Sequence, residues 1–338
     1  MKTIYTLTFH AADNYGAVWQ AYALQTYLKN KGVITSCIDY RPAYFGNNII
    51  SLGGKRIGIK TIVQLIITLP TKWLRKRAFK KFRKQNLQIC SVDSVIQGAD
   101  TGFLVGSDQV WNKSITGNVV DPFFTLENII SDNKYSYAAS IGQETQERVT
   151  EVYDHLHCFK SIGVREKVTY DLLRKLDAHR IYWNIDPVFL LDKSDYAKFV
   201  SPIQNKPYVL VYTLETNFDV SNILKQYKRT HRVITIGSFK NIYGGDTHYR
   251  CASPEKFITL ISGADTVISN SFHTISFSII FGKKIVYIPL KNGRGGRIET
   301  LLSLLNASGN YCDTSTSDKS QLERLITDSK NYINSILG

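Results

Sequence analysis

The chain is poor in cysteine and has no cysteine pattern. Its five cysteines, Cys37, Cys90, Cys158, Cys251 and Cys312, are scattered, odd in number and never spaced C-x-x-C. That excludes a disulfide scaffold or a structural zinc ribbon and fits a reducing compartment, so a cytoplasmic location is expected. No apolar run reaches the ~18–20 residues of a membrane span. The start, MKTIYTLTFHAADNYG, holds a seven-residue β-like run but no longer apolar core and no small-residue cleavage site, so no signal peptide is expected. G-x-G-x-x-G is missing, which removes support for a dinucleotide site. No group of His, Asp and Glu stands at metal-ligand spacing, so no metal is expected. Internal repeats and low-complexity segments are absent as well.

One further absence is local. Residues 55–84 hold eleven Lys or Arg (Lys55, Arg56, Lys60, Lys72, Arg75, Lys76, Arg77, Lys80, Lys81, Arg83, Lys84) and no acid. Removing those eleven from the formal net charge of +14 leaves +3, so the basicity belongs to one segment and names a partner surface. Trp73, Leu74, Ala78, Phe79 and Phe82 thread an apolar stripe through it, and 61–85 reads as an amphipathic helix broken at Pro70. Two readings stand side by side. The helix docks Trp73, Phe79 and Phe82 into a core and leaves a solvated basic face, or it lies on an anionic membrane. Nucleic acid is not expected, because nothing else resembles a reading module.

What is present is ample apolar material: 338 residues, 43% hydrophobic and 12% aromatic. That length exceeds the ~250–300 residues at which one core stops growing, so two domains are expected. β/α alternation fills both halves, and the polar stretch 194–207 divides them into 1–195 and 196–338. The class is α/β. In the first half, strand 3–9, helix 15–30 and strand 33–39 open a β-turn-α-β unit with Asn14 and Gly16 at its turn. Gly16 either admits a ligand or backbone closely or is tolerated in the first helical turn.

Residues 263–289, GADTVISNSFHTISFSIIFGKKIVYIP, organise the second half. Thr266, Val267 and Ile268 form a short strand, Ser269, Asn270 and Ser271 a turn, and Ile275, Ile279 and Ile280 a helix apolar nearly all round. Gly282 stops it, and 285–288 form the next strand. Such a βαβ unit forces parallel pairing. His273 then lies in the first helical turn beyond the carboxyl end of a strand, where open α/β sheets bind ligands and free N–H groups favour an anion. His273 reads equally as a proton donor beside a phosphate or carboxylate and as a cap that fills a gap.

Polar residues recur at other strand ends. Ser107, Asp108, Gln109, Trp111 and Asn112 follow the strand 103–105, Ser140 and Gly142 follow 135–139, and Arg165 ends 161–164 and opens a helix to Leu176. Asp108 is either a base or a residue that holds its own loop. Arg297 follows the glycine loop Asn292-Gly293-Arg294-Gly295-Gly296.

Several of these blocks together resemble the polysaccharide pyruvyl transferase family. They are Asn14-Tyr15-Gly16-Ala17 with Gln20 and Gln25; Val105-Gly106-Ser107-Asp108-Gln109-Val110-Trp111-Asn112; Tyr137-Ala138-Ala139-Ser140-Ile141-Gly142; Val164-Arg165-Glu166; Asp186-Pro187-Val188; Ser269 to His273; Phe281-Gly282-Lys283; and Arg297. The resemblance implies a glycosyltransferase-B-like fold, two Rossmann-like domains facing a cleft, with 1–195 on the acceptor side and 196–338 on the donor side. It implies transfer of the enolpyruvyl carbons of phosphoenolpyruvate onto two hydroxyls of one sugar, as a cyclic ketal with release of phosphate, in capsule or exopolysaccharide assembly.

Some relatives carry Arg-x-His, the His as acid and the Arg on the donor. Here the His matches His273 and the Arg position is Ser271. Arg165 matches the other donor arginine, and Arg297 is the candidate to replace the missing charge. The implied site is therefore His273, Arg165 and Asp108 for catalysis. Asn14, Gly16, Ser107, Gln109, Trp111, Asn112, Ser140, Ser269, Asn270, Ser271 and Arg297 bind substrate. No cofactor is implied, since phosphoenolpyruvate is a co-substrate. A glycan acceptor on a lipid diphosphate would bring residues 55–84 to the inner membrane face. A nucleotide-sugar glycosyltransferase of the same fold and a non-catalytic basic module remain the alternatives.

Overall fold

The structure, a computed structural model, describes residues 1–46, 59–96, 98–142, 145–203, 207–215, 219–237, 240–290, 295–307 and 309–338. Lys55 and Arg56 of the basic segment, and Asn292, Gly293 and Arg294 of the glycine loop, lie outside the described residues.

The chain divides into two compact units. The first comprises Met1–Ser51, Arg83–Leu191 and Glu323–Gly338, the second Leu52–Phe82 and Asp192–Leu322. This differs from the division at 195 in two segments, each for an apolar reason. Phe79 and Phe82 are fully buried, and Phe82 meets Phe199 at 5.9 Å between ring centroids, which ties the basic helix to the second unit. At the other end, Tyr332 lies 6.4 Å from Tyr137 and 4.5 Å from Tyr182, and donates to the Ser136 carbonyl (2.7 Å). Those contacts return the last helix, Ser320–Leu337, to the first unit.

The first unit is built on seven strands: β1 (Thr3–Leu7), β2 (Ile34–Ile38), β3 (Ile89–Cys90), β4 (Thr101–Val105), β5 (Lys134–Ala139), β6 (Ser161–Val164) and β7 (Ile181–Trp183). They pair in parallel in the order β3-β2-β1-β4-β5-β6-β7. The chain therefore reverses direction across the sheet between β1 and β4, the switch point of a doubly wound fold. Ile4, Phe103, Leu104, Val105, Ile162 and Val164 are at most 1% exposed, as expected of strands covered on both faces.

The second unit repeats the plan with β8 (Tyr208–Tyr212), β9 (Arg232–Ile236), β10 (Thr247–Tyr249), β11 (Thr266–Ser269), β12 (Lys284–Tyr287) and β13 (Tyr311–Asp313). The order is β10-β9-β8-β11-β12-β13, with only β13 antiparallel. Its switch point lies between β8 and β11.

Two elements show why local signals succeed or fail. The helix Phe272–Ile280 buries Ile275, Phe277 and Ile279, and its interior serines are satisfied by back-bonding: Ser276 Oγ donates to the Phe272 carbonyl (2.9 Å) and Ser278 Oγ to that of Thr274 (2.8 Å). The helix ends where expected. Gly282 takes φ +67°, its N–H reaches Ile279 O (3.1 Å), and Lys283 N reaches Ser278 O (2.8 Å). This is the paired-bond C-terminal cap that a left-handed residue permits. A Cβ at Gly282 would meet nothing within 4 Å. Gly282→Ala is therefore expected to cost only the left-handed conformation, roughly 1–2 kcal/mol, read as a lower urea midpoint at unchanged slope. A loss above that range would reveal a packing role.

The helix expected to break at Pro70 does not. It runs unbroken over Ile59–Asn86 with Pro70 inside. The missing bond and ring clash cost ~3 kcal/mol. Burial of the Phe79 and Phe82 rings contributes roughly 1.5–3 kcal/mol each, enough to offset it.

Candidate functional site

The sequence-predicted residues collect at the carboxyl edges of the two sheets, in two groups.

In the first unit the group is built around the end of β4. Gly106 has φ +108°, and a Cβ there would lie 2.3 Å from the Tyr137 carbonyl oxygen, so only glycine lets the two strand ends approach this closely. Asp108 follows in the left-handed region, φ +84°. Its Oδ1 accepts from Gln109 N (2.8 Å), and its carbonyl accepts from Ser140 N (3.0 Å). Asp108 thus holds its loop and ties it to β5 while staying partly exposed. Ser107 is buried, its carbonyl accepting from Thr8 Oγ1 (2.7 Å), which in turn accepts from Gln20 Nε2 (2.8 Å).

Five residues expected to bind substrate have duties within the fold. Trp111 is 1% exposed and donates its indole N–H to Phe124 O (2.9 Å), so it offers a ligand no surface. Asn112 donates to Gln109 Oε1 (3.0 Å) and accepts from Ser114 N (3.1 Å) and Ser114 Oγ (2.6 Å). Ser140 is fully buried and donates to Glu166 Oε1 (2.6 Å). Asn14 caps the helix Tyr15–Asn30, accepting from Gly16 N (2.8 Å) and Ala17 N (3.3 Å), and Gly16 is buried in its first turn.

Arg165 is held by carboxylates inside the first unit. The helix after β6 begins at Lys167 with Glu166 as its N-cap, so Arg165 precedes it. Its side chain is 3% exposed and donates from Nη1 to Asp186 Oδ2 (2.9 Å) and from Nε to Glu166 Oε1 (3.4 Å). Burial alone would lower its pKa, but the carboxylates of Glu166, Asp186 and Asp108 outweigh that and raise it above the ordinary arginine value. Three carboxylates therefore act on one buried guanidinium. Glu166 and Asp186 were not read as site residues. A neighbouring Arg165-Glu166 pair was visible in the sequence, but nothing marked Asp186 as the partner.

A second pair was missed at the ends of β1 and β2. His10, fully buried, places Nε2 3.0 Å from Asp39 Oδ1 and Nδ1 3.2 Å from Thr8 O. Burial holds its pKa below the usual histidine value against the opposing pull of Asp39. Arg41 Nε also donates to Asp39 Oδ1 (2.6 Å). A lone His followed 29 residues later by an Asp carries no sequence signal.

In the second unit the group sits between β8 and β11. Ser269 Oγ donates to Tyr212 O (2.6 Å) and accepts from Ser271 N (3.0 Å). Asn270 is fully buried. Its Oδ1 accepts from Leu214 N (2.7 Å), and its Nδ2 has no hydrogen-bond partner among the described residues. Ser271 is the N-cap of Phe272–Ile280 but makes no side-chain cap bond, so no side chain from the cap covers the first-turn N–H groups. His273 lies in that turn, partly exposed, 5.2 Å from the Phe272 ring. Arg297, in the first turn of Gly296–Ser303, places its guanidinium 5.9 Å from the centre of the same ring. Imidazole and guanidinium thus both lie near the Phe272 ring at a helix N-terminus, with the buried Asn270 amide two residues before that ring in the chain. Ser271 itself carries no cation, and the Arg297 guanidinium on a different helix lies near the ring of the adjoining Phe272. Guanidinium and first-turn N–H groups are of the kind that bind compact anions, and an imidazole is of the kind that can hold a proton near neutral pH.

A cavity of about 640 Å³ in the second unit is lined by Asp192, Lys193, Ala197, Val200, Ser262 and Phe281. Ser262 and Phe281 precede β11 and β12, so it lies at the amino edge, away from this group. Among the described residues no group of three or more His, Cys, Asp or Glu could hold a metal ion.

The fold has known counterparts. Over 100% of this chain and 99% of its own length, the UDP-GlcNAc 2-epimerase of Neisseria meningitidis, solved with UDP-GlcNAc, is similar at a TM-score of 0.52 and 12% identity. A putative UDP-N-acetylglucosamine 2-epimerase from Listeria monocytogenes is similar at 0.50 and 8% identity over 99% and 97% of the two chains. At these identities the likeness concerns architecture alone: two Rossmann-like units of glycosyltransferase-B type. Among curated proteins no sequence match was found. The family description "Polysaccharide pyruvyl transferase" matches residues 14–292, from the cap of the first helix to beyond β12. By that match over most of its length, the chain belongs to the polysaccharide pyruvyl transferase family and is a transferase.

Proposed function

We propose that the protein moves the enolpyruvyl carbons of phosphoenolpyruvate onto two hydroxyls of one sugar, forming a cyclic ketal. The glycan acceptor is taken to be a polysaccharide precursor carried on a lipid diphosphate. One observation carries the reading: the uncapped N-terminus of Phe272–Ile280 presents His273, with Arg297 against the adjoining Phe272, in a chain of a pyruvyl-transferring family. Phosphoenolpyruvate is compact and carries a carboxylate and a phosphate, which suits a guanidinium fork and first-turn N–H groups. A buried Asn270 amide without a protein partner is a further donor for it.

In this reading the first sugar hydroxyl adds to the carbon bearing the phosphate ester while His273 gives a proton to the methylene carbon, making it a methyl group. The second hydroxyl then closes the ketal as the carbon–oxygen bond to phosphate breaks. The two hydroxyl protons end on the methyl group and on the released phosphate. Asp108, partly exposed at its strand end, is the carboxylate proposed to take the hydroxyl proton.

Arg165 and Arg297 receive different roles. Arg297 meets the donor. Arg165, compensated by Asp186 and Glu166, acts as a positioning residue that fixes the β6 end. Arg297→Lys is then expected to raise the KM for phosphoenolpyruvate roughly tenfold, because an ammonium cannot reproduce the planar fork. Arg165→Lys should lower stability and kcat with that KM nearly unchanged. The reverse split in steady-state kinetics would return Arg165 to the donor. The function itself is tested by phosphate release from phosphoenolpyruvate with lipid-diphosphate-linked sugars. Release that requires both substrates is expected. Nucleoside diphosphate released from a nucleotide sugar, with phosphoenolpyruvate inert, would overturn the proposal.

A further inference from the structure

The basic helix has a structural face and a face that the fold does not use. Phe79 and Phe82 are fully buried, and Arg75 lies over the Phe79 ring at 4.9 Å. Arg83 donates to Asp13 Oδ1 from both terminal nitrogens, each at 2.9 Å. Those residues account for the packing. Lys76, Arg77, Lys80, Lys81 and Lys84 are exposed, and none is paired to an acid among the described residues. At 3.6 residues per turn they share about half of the helix circumference with Leu69, Trp73 and Leu74. Those three apolar side chains are 49%, 57% and 47% exposed. Arg77 lies 5.4 Å from the centre of the Trp73 ring, which puts a cation beside the indole.

We propose that this face of Ile59–Asn86 seats the protein on an anionic lipid bilayer. Charge complementarity selects an anionic partner, and the apolar residues select which kind. Duplex nucleic acid would take the lysines but leave Leu69 and Leu74 in water. A bilayer interface takes the cations at its headgroups and the indole and leucines just beneath them. No helix among the described residues is long and apolar enough to cross a membrane, so attachment is peripheral and reversible. The proposal goes beyond the transferase reading and stands apart from it, since binding needs neither donor nor acceptor.

The test is co-sedimentation of the full chain, without substrates, with vesicles of phosphatidylcholine alone or mixed with phosphatidylglycerol. Binding is expected only to the mixed vesicles. The attraction should fall at least ~tenfold when the Debye length shrinks from ~10 Å at 0.1 M salt to ~3 Å at 1 M. K76E/K80E/K84E together should abolish it, and Trp73→Ser should weaken it at low salt. These side chains are exposed, and the salt arm needs no variant at all. Equal binding to neutral vesicles, binding to neither, or displacement from mixed vesicles by duplex DNA at matched phosphate concentration would each overturn the assignment. Phosphate release measured on a soluble acceptor reports on the transferase reading separately.

Discussion

His273→Ala is expected to lower phosphate release by ~10²–10⁴, the usual contribution of a positioned acid or base, with the fold intact. His273 is partly exposed in the first turn of Phe272–Ile280, so removing its ring opens no core cavity. The helix keeps its buried Ile275, Phe277 and Ile279 and its Gly282 cap. The loss should fall on kcat more than on donor KM, because the imidazole is asked to deliver a proton while Arg297 and the helix N-terminus hold the anion. Near-wild-type turnover by a folded His273→Ala protein would show that the residue only fills its turn.

Asp186→Ala should be strongly destabilising at the first site, by ~3 kcal/mol, because it removes the nearer partner of a buried guanidinium and leaves it only the longer contact to Glu166. The Arg165 and Asp186 side chains are 3% and 0% exposed, so solvent cannot substitute for the lost partner. Asp186 Oδ1 also accepts from Val188 N at 3.2 Å, a cap that Asp186→Asn would keep. The Asn variant should therefore recover part of the loss, about 1 kcal/mol. Urea unfolding followed by circular dichroism reads both. A cost below ~1 kcal/mol for Asp186→Ala would place the pair with surface ion pairs and remove Arg165 from its positioning role.

Sequence patterns reached furthest where the determinants were local. The unit 263–289 was legible because apolar run, polar turn, apolar helix and stop glycine follow one another within a few residues, and each acts on its own neighbours. The strand ends carrying Ser107, Asp108, Ser140 and Arg165 were legible for the same reason. What those side chains do there was not. The donor role of Arg165 came from the resemblance alone, since a lone arginine at a helix start carries no such signal. Its true surroundings depend on Asp186, 21 residues later, and on Glu166 turning back toward Ser140. Trp111 stands in a polar block that the resemblance assigns to substrate, and its indole donates to Phe124 O in the core. Pro70 looked like a break in the helix because proline acts locally, whereas the burial that carries the helix past it comes from Phe79 and Phe82. His10 and Asp39 are brought together only by the pairing of β1 with β2.

The central claim concerns what is transferred and from where. The most direct measurement is mass analysis of a lipid-diphosphate-linked sugar after incubation with the protein and phosphoenolpyruvate, with phosphate counted in the same sample. The account predicts an acceptor heavier by one pyruvate less water, with one phosphate released per acceptor and no free hydroxyl left at either ketal oxygen. An acceptor that gains a hexose from a nucleotide sugar, or one that gains nothing while phosphoenolpyruvate is untouched, would contradict it.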